Sequence, residues 1–321
     1  MRASRLSALL IAVAVAFTAT ACSEAPTSSG STSGAAACTK AEPSKTATAS
    51  STTTAAATSS ATETTSEAPA PAGSLVEKAQ SGKLVVGVKF DQPGLGLQGA
   101  DGTMSGFDVE VAKYIAKELG VEESGIEWKE TPSAERENAI KTQQVDMIVA
   151  TYSITDNRKK VVSFAGPYFL AHQDLLVKSD NTSICGPNDL NGKLLCSVKG
   201  STSAQKIKDS YATGVQLQEY GGYSDCVQAL KSGAVDAVTT DDVILAGYAA
   251  QSPGELKVVG NGFSDENYGV GMFLDDTAGQ AAVADAIEKM QTSGEWKAAL
   301  DKTVGPSGYA IPEPPAITER G

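Results

Sequence analysis

The chain is 321 residues long and carries 26 Lys and Arg against 38 Asp and Glu, a net charge of −12, with a single His. Binding a phosphate backbone needs clustered Lys and Arg, so this balance excludes a nucleic-acid partner. One His rules out His-rich metal sites and argues against a Ser-His-Asp hydrolase; no metal or cofactor is expected. The length is ample for one large or two ordinary domains, but the averages blend three unlike segments.

The first segment is an address. Arg2 and Arg5 precede an apolar run from Leu9 to Phe17, and small residues Thr18 to Ala21 lead into Cys22. The run is too short for a bilayer core of about 30 Å and has the form of a secretory signal over 1–21. Residues 19–22, ATAC, resemble a bacterial lipobox, with Ala19 where that pattern prefers Leu. The resemblance implies that Cys22 is lipidated and becomes the first mature residue, the alternative being ordinary cleavage with Cys22 incidental. Acyl chains at ~0.8 kcal/mol per buried CH₂ would hold such a protein on a membrane surface.

The second segment is a tether over 22–72. Ala, Thr, Ser and Pro make up 41 of the 50 residues from Ser23 to Ala72, and no large apolar side chain occurs there. Such a stretch has too little apolar surface to offset the entropy of ordering and is expected to be disordered. As a flexible coil it spans roughly 40 Å, enough to lift a domain off a membrane. Cys38 within it reads as a solvated thiol, or as a second lipid or crosslink site.

The third segment, 73–321, holds the whole net charge of −12, because the four basic and four acidic residues before it cancel. KLVVGV (83–88) is a continuous apolar run beside glycines, as in a central strand of a covered sheet. Phe107, Val111, Ile115 and Leu119 recur every four residues, which predicts a helix over 107–119 stopped by Gly120. Strand 126–130, helix 133–142 and strand 145–150 follow. A second series comprises strand 193–198, helix 202–210, strand 216–220, helix 224–232, strand 234–240 and helix 242–250. Two such βαβ series imply an α/β fold of two lobes with mostly parallel sheets. Gly94, Gly96 and Gly99 match G-x-G-x-x-G, yet the next residues include an Asp101–Gly102 turn and the helix starts only near Phe107. The motif therefore fails the strand-to-helix context of a dinucleotide loop.

Four strings carry a wider resemblance: GFDVEVAKYIAKELG (106–120), DMIVATYSITDNRKKVVSFAGPY (146–168), SVKGSTSAQ (197–205) and AVDAVTTDD (234–242). In order and over 75–305 they resemble the family 3 solute-binding proteins that deliver polar amino acids to ABC importers. VGVKFDQPGLGL (86–97), with the lipobox and tether, is most similar to the actinobacterial glutamate-binding lipoproteins. The resemblance implies a type II periplasmic-binding-protein fold. Lobe 1 would be 73–171 plus 274–321 and lobe 2 would be 174–268. Strands 172–178 and 267–273 would cross between them, and helices over 275–304 would return to lobe 1.

The resemblance also assigns residues. Arg158 aligns with the arginine that grips the ligand α-carboxylate, a task that suits a bidentate guanidinium. Thr151 and Ser153 align with the backbone and hydroxyl contacts of the family's G-x-T pair, Thr151 standing where many relatives have Gly. Gly200, Ser201 and Thr202 fall between a strand end and a helix start, where free N–H groups suit a carboxylate and where either hydroxyl can instead cap the helix. Asp241 aligns with the acidic residue that binds the α-ammonium, with an N-cap role as its alternative and Asp242 as the other candidate cap. Lys89, at the end of the first strand, suits the distal carboxylate of glutamate or aspartate, with a solvated strand-end lysine as the alternative; Lys199 is a second candidate. Phe90 and Tyr152 can pack on the ligand stem or in the core, and His172 at the hinge is read as structural. The family sheet order brings the 224–232 helix over the 193–198 strand, implying a Cys196–Cys226 disulfide, with Cys185–Cys196 as the second pairing in an exported, oxidising setting.

These readings converge on a monomeric, lipid-anchored receptor on the extracellular face of the cytoplasmic membrane. It would bind glutamate or a related amino acid and hand it to ABC permease subunits. Two other classes remain: a sensory ectodomain for the same ligand, and a dehydratase on the same fold. The latter needs a general acid or base in the cleft that the matched positions do not supply.

Overall fold

The computed structural model describes residues 73–211 and 214–321. The expected signal over 1–21, the lipidation site Cys22 and the tether to 72, with Cys38, lie outside the described residues.

In chain order the elements are α1 (Leu75–Ala79), β1 (Leu84–Val88), β2 (Asp91–Gln92), β3 (Gly96–Gln98), β4 (Met104–Ser105), α2 (Phe107–Glu118), β5 (Ile126–Glu130), α3 (Arg136–Lys141) and β6 (Met147–Ile148). Next come β7 (Ser163–Lys178), β8 (Leu194–Val198), α4 (Ser203–Ser210), β9 (Gln216–Tyr220), α5 (Tyr223–Ser232), β10 (Ala237–Asp241), α6 (Asp242–Gln251) and β11 (Leu256–Val258). The chain closes with β12 (Asp265–Met272), α7 (Thr277–Ser293) and α8 (Glu295–Thr303). The apolar faces read from the sequence are the buried ones: Val86 and Val88 on β1, and Phe107, Val111 and Ile115 on α2.

The strands order as β5-β1-β6-β12-β7-β10-β8-β9, with β11 also on β7. β1 runs parallel to β5 and β6, and β8 runs parallel to β9 and β10, giving the two α/β lobes of a type II binding-protein fold. β7 and β12 lie antiparallel to each other and to the strands they join. β7 has 16 residues, about 50 Å at strand rise, so one strand passes through both lobes. The crossing therefore begins earlier than the expected 172–178, and it fuses the two sheets into one ladder. Phe107, Phe169 and Trp296 pack edge-to-face or tilted against each other beneath the first lobe.

The glycine-rich 94–99 stretch forms hairpins rather than a phosphate loop. β3 pairs antiparallel with both β2 and β4, and Gly102, at φ +84°, turns the second hairpin. Helix α3 starts at Arg136 rather than 133, because Pro132 to Glu135 form a turn that presents Ser133 to the space between the lobes. The formal strand β6 is shorter than 145–150, yet Asp146 N–H donates to Val85 O (2.8 Å) and Val149 N–H to Gly87 O (2.9 Å), so the ladder extends beyond it.

Cys196 on β8 and Cys226 on α5 form a disulfide with Cα atoms 5.5 Å apart, which rules out the alternative Cys185–Cys196 pairing.

Candidate functional site

Both lobes are built so that strand C-termini and helix N-termini meet between them, the usual location of ligand sites in open α/β sheets. A small, polar-walled cavity lies there. From lobe 1 it is walled by Ser133, Arg136, Thr151, Ser153 and Arg158, and from lobe 2 by residues 201–203, Tyr223, Thr240, Asp241 and Ile244. Six of the seven expected site residues therefore surround one cavity. The seventh, Lys89, lies just behind it, its Nζ donating to Ser133 Oγ at 2.8 Å.

Arg158 is held in place by contacts within the protein. Its Nη1 donates to Ser153 O (2.7 Å), its Nη2 to Gly200 O across the cleft (3.2 Å), and its Nε meets Glu137 Oε1 at 3.2 Å. Thr151 sits at φ +45°, a strained conformation for a β-branched residue. Its N–H donates to the buried Asp108 carboxylate (2.9 Å), which also accepts from Tyr168 Oη (2.8 Å). Burial pushes the Asp108 carboxyl up to about 6 despite these bonds.

In lobe 2, the Thr202 side chain makes no capping hydrogen bond to α4, and Ser201 Oγ instead lies 3.2 Å from Ser197 Oγ. The helix N-terminus thus faces the cavity with its own dipole available to an anion. Asp242 takes the structural role at α6, accepting from Val243 N–H (2.8 Å) and His172 N–H (3.0 Å). That leaves Asp241 free of capping; its carboxylate accepts from Tyr268 Oη and borders the cavity. Burial first, then the charge of Glu266, pushes Asp241 up to about 8. A cation beside it would lower that value.

Lys89 is 4% exposed and forms no ion pair among the described residues. Burial and neighbouring Arg136 hold its ammonium well below the usual lysine range. Lys199, by contrast, is exposed and does not border the cavity. Phe90 packs on the main core, and His172 is half-exposed between Asp242 and Asp265, each 3.5 Å away. Tyr152 is fully buried against Phe164, with both Arg136 and Arg158 over its ring at 4.2 and 4.9 Å. It is core and a cationic platform at once.

Sequence reasoning missed Arg136. It is 2% exposed, its Nη1 donates to Ala150 O (3.0 Å) and Thr151 O (3.4 Å), and its Nε is buried without a partner. Burial, then the charge of Arg158, lowers it to about 10. The sequence signal is weak: Arg136 is the first residue of α3, where a cation opposes the macrodipole, but it stands six positions past the end of β5, beyond the turn at 132–135. Ser133, three positions past that strand, lies in the turn and borders the cavity. The result is two guanidiniums and an ammonium on the lobe 1 side, with a carboxylate opposite.

The bacterial extracellular solute-binding protein family 3 model matches residues 84–306. The chain is 47% identical over 249 residues to the glutamate-binding protein GluB of Corynebacterium efficiens, covering 74% of this chain and 84% of that protein. It is 42% identical over 192 residues to the glutamine-binding protein of Geobacillus stearothermophilus, covering 59% and 72%. Among solved structures, an ancestral arginine-binding protein bound to glutamine superposes with TM-score 0.66 at 36% identity, covering 70% of this chain and 98% of that one. The receptor for L-cysteine of Neisseria gonorrhoeae superposes with TM-score 0.68 at 28% identity, covering 73% and 94%. A family match across most of the folded part, on a two-lobed fold with a small charged cavity between the lobes, makes this chain a member of the family 3 extracellular solute-binding proteins.

Proposed function

We propose that the chain is the substrate-binding component of an ABC amino-acid importer and binds glutamate, or a related acidic or polar amino acid, between its lobes. The observation that carries this reading is the charge layout of the cavity, with Arg136 and Arg158 on one wall and Asp241 on the other. An amino acid presents a carboxylate and an ammonium, and each needs a desolvated partner of opposite sign. Arg158 and the α4 N-terminus take the α-carboxylate, Asp241 takes the ammonium, and Thr151, Ser153, Ser201 and Thr202 supply backbone and hydroxyl contacts. Lys89, acting through the Ser133 side of the cavity, takes the distal carboxylate.

Closure about β7 and β12 brings the two walls together, and no covalent chemistry follows. Lipidation of Cys22 and the tether hold the monomer at the extracellular face of the membrane, near the permease. The relatives named for glutamate and glutamine binding support the ligand class. Calorimetric titration of the purified chain with the common amino acids tests it. Glutamate should bind in the micromolar range, about −8 kcal/mol, and a chain that binds only basic or apolar amino acids refutes it.

A further inference from the structure

Away from the cavity, a second set of contacts joins the lobes at the β2 lip. The Asp91 carboxylate, from lobe 1, accepts from Ser224 N–H (3.2 Å) and Ser224 Oγ (3.4 Å) in the first turn of α5. Tyr248 Oη on α6 reaches both that carboxylate (3.4 Å) and the Asp91 carbonyl oxygen. Helix α5 begins after Gly222, which has no side chain to cap it. Asp91 thus supplies from the opposite lobe the oxygen that a helix N-terminus ordinarily takes from its own N-cap, and it brings the negative charge that the helix dipole favours.

The glycines here are shaped for the same approach. A Cβ on Gly222 would lie 2.7 Å from Asp91 Oδ2, and one on Gly247 would lie 2.4 Å from the backbone oxygen of Pro93. Gly247 is in the middle of α6, where only Pro is a poorer helix former. Helix stability gives no reason for glycine at that position, whereas the close passage of lobe 1 does. Neither Asp91, Gly222 nor Gly247 borders the cavity of Arg158 and Asp241; Asp91 and Gly222 line an adjoining interlobe pocket that Lys89 shares.

We propose that Asp91, Gly222 and Gly247 form a closure latch that sets ligand affinity without touching the ligand. The latch rests on the hinge-closure reading above. Its contacts exist only when the lobes are together, so they add to the closed state alone and enlarge the fraction of molecules competent to hold ligand.

The test is glutamate titration and stopped-flow dissociation on the full chain and its Gly247→Ala and Asp91→Ala variants, with thermal unfolding measured without ligand. Gly247→Ala should weaken glutamate binding by about tenfold or more, because the new methyl meets rigid backbone only on closure. Its ligand-free unfolding midpoint should stay the same or rise, as alanine favours the helix. Asp91→Ala should weaken binding roughly fivefold, mainly through faster release, and Asp91→Asn, which keeps an accepting oxygen, should recover part of the loss. Wild-type affinity in both alanine variants overturns the latch. So does a parallel fall of affinity and midpoint in Gly247→Ala, the mark of a merely structural glycine. A wild-type chain that binds no amino acid overturns the functional reading, and the latch with it.

Discussion

Lys89→Met is the sharpest test of ligand choice, because it removes a charge and little volume. The Lys89 ammonium is almost wholly buried, with one bond to Ser133 Oγ at 2.8 Å and no carboxylate paired to it among the described residues. A hydrogen bond to a charged partner contributes about 1.5–3 kcal/mol, so losing the distal carboxylate contact should weaken glutamate binding roughly 10- to 150-fold. Glutamine, with a neutral amide at that position, should lose far less. The ligand-free protein should behave oppositely. Burial lowers the Lys89 pKa, so folding opposes its protonated form. That cost is fully present below the folded pKa and fades as pH rises toward the ordinary lysine value of about 10.4. Lys89→Met should therefore be more stable than wild type without ligand, with the advantage narrowing in alkali. Paired titrations with glutamate and glutamine, and unfolding curves from pH 7 upward, decide the matter. Equal losses for both ligands, or none for glutamate, refute the assignment. If Arg136→Met showed the glutamate-selective loss while Lys89→Met did not, the distal carboxylate would belong to Arg136.

On the proposed function, Asp241 should make binding pH-dependent. With its carboxyl pushed up to about 8, the empty site holds a proton that an arriving ammonium must displace, so affinity should fall as pH drops through 8, by up to about tenfold per unit. Titrations in buffers of different ionisation enthalpy should show proton release, and a flat profile in wild type would contradict it. Cys226→Ala opens a loop with a sequence separation of 30 residues and should cost about 3 kcal/mol of stability, read by denaturant unfolding of the oxidised proteins. A change below about 1 kcal/mol would show that the second lobe does not depend on the bridge.

The secondary structure was legible wherever one periodicity ran uninterrupted. β5 and β9 coincide with the expected 126–130 and 216–220, and α2, α5 and α6 fall within a residue of theirs. The sequence misplaced the elements that bend toward the cleft. The start of α3 and the end of β6 are set by Ser133 and Thr151 serving the cavity rather than by local propensity, which a single-chain pattern does not encode. Residues bordering the cavity were singled out when they stood in a recognisable string, as Arg158 and Asp241 did. Arg136 looked like one more charged residue near a helix start, and its burial beside Tyr152 is what reveals it. Asp91 and Gly247 were illegible for a different reason: their significance lies in a partner more than 130 residues away.

On the proposed function, the distribution of charge lets a chain of net charge −12 hold an anionic amino acid. At physiological ionic strength the repulsion of distant surface carboxylates is damped within about 8 Å, whereas charges inside the closed cleft are screened much less. The local balance decides binding, and each half of that balance is incomplete by itself. Lobe 1 contributes Lys89, Arg136 and Arg158, and among the described residues the one ion pair to this group is Glu137 with Arg158, at 3.2 Å. Lobe 2 contributes Asp241, which burial drives toward its neutral form. A zwitterion with a second carboxylate compensates both walls together, and it does so fully only when the lobes meet. On the proposed reading, a ligand of that kind has greater affinity for the closed form than for the open one, and that difference would convert binding into a conformational signal for a membrane partner.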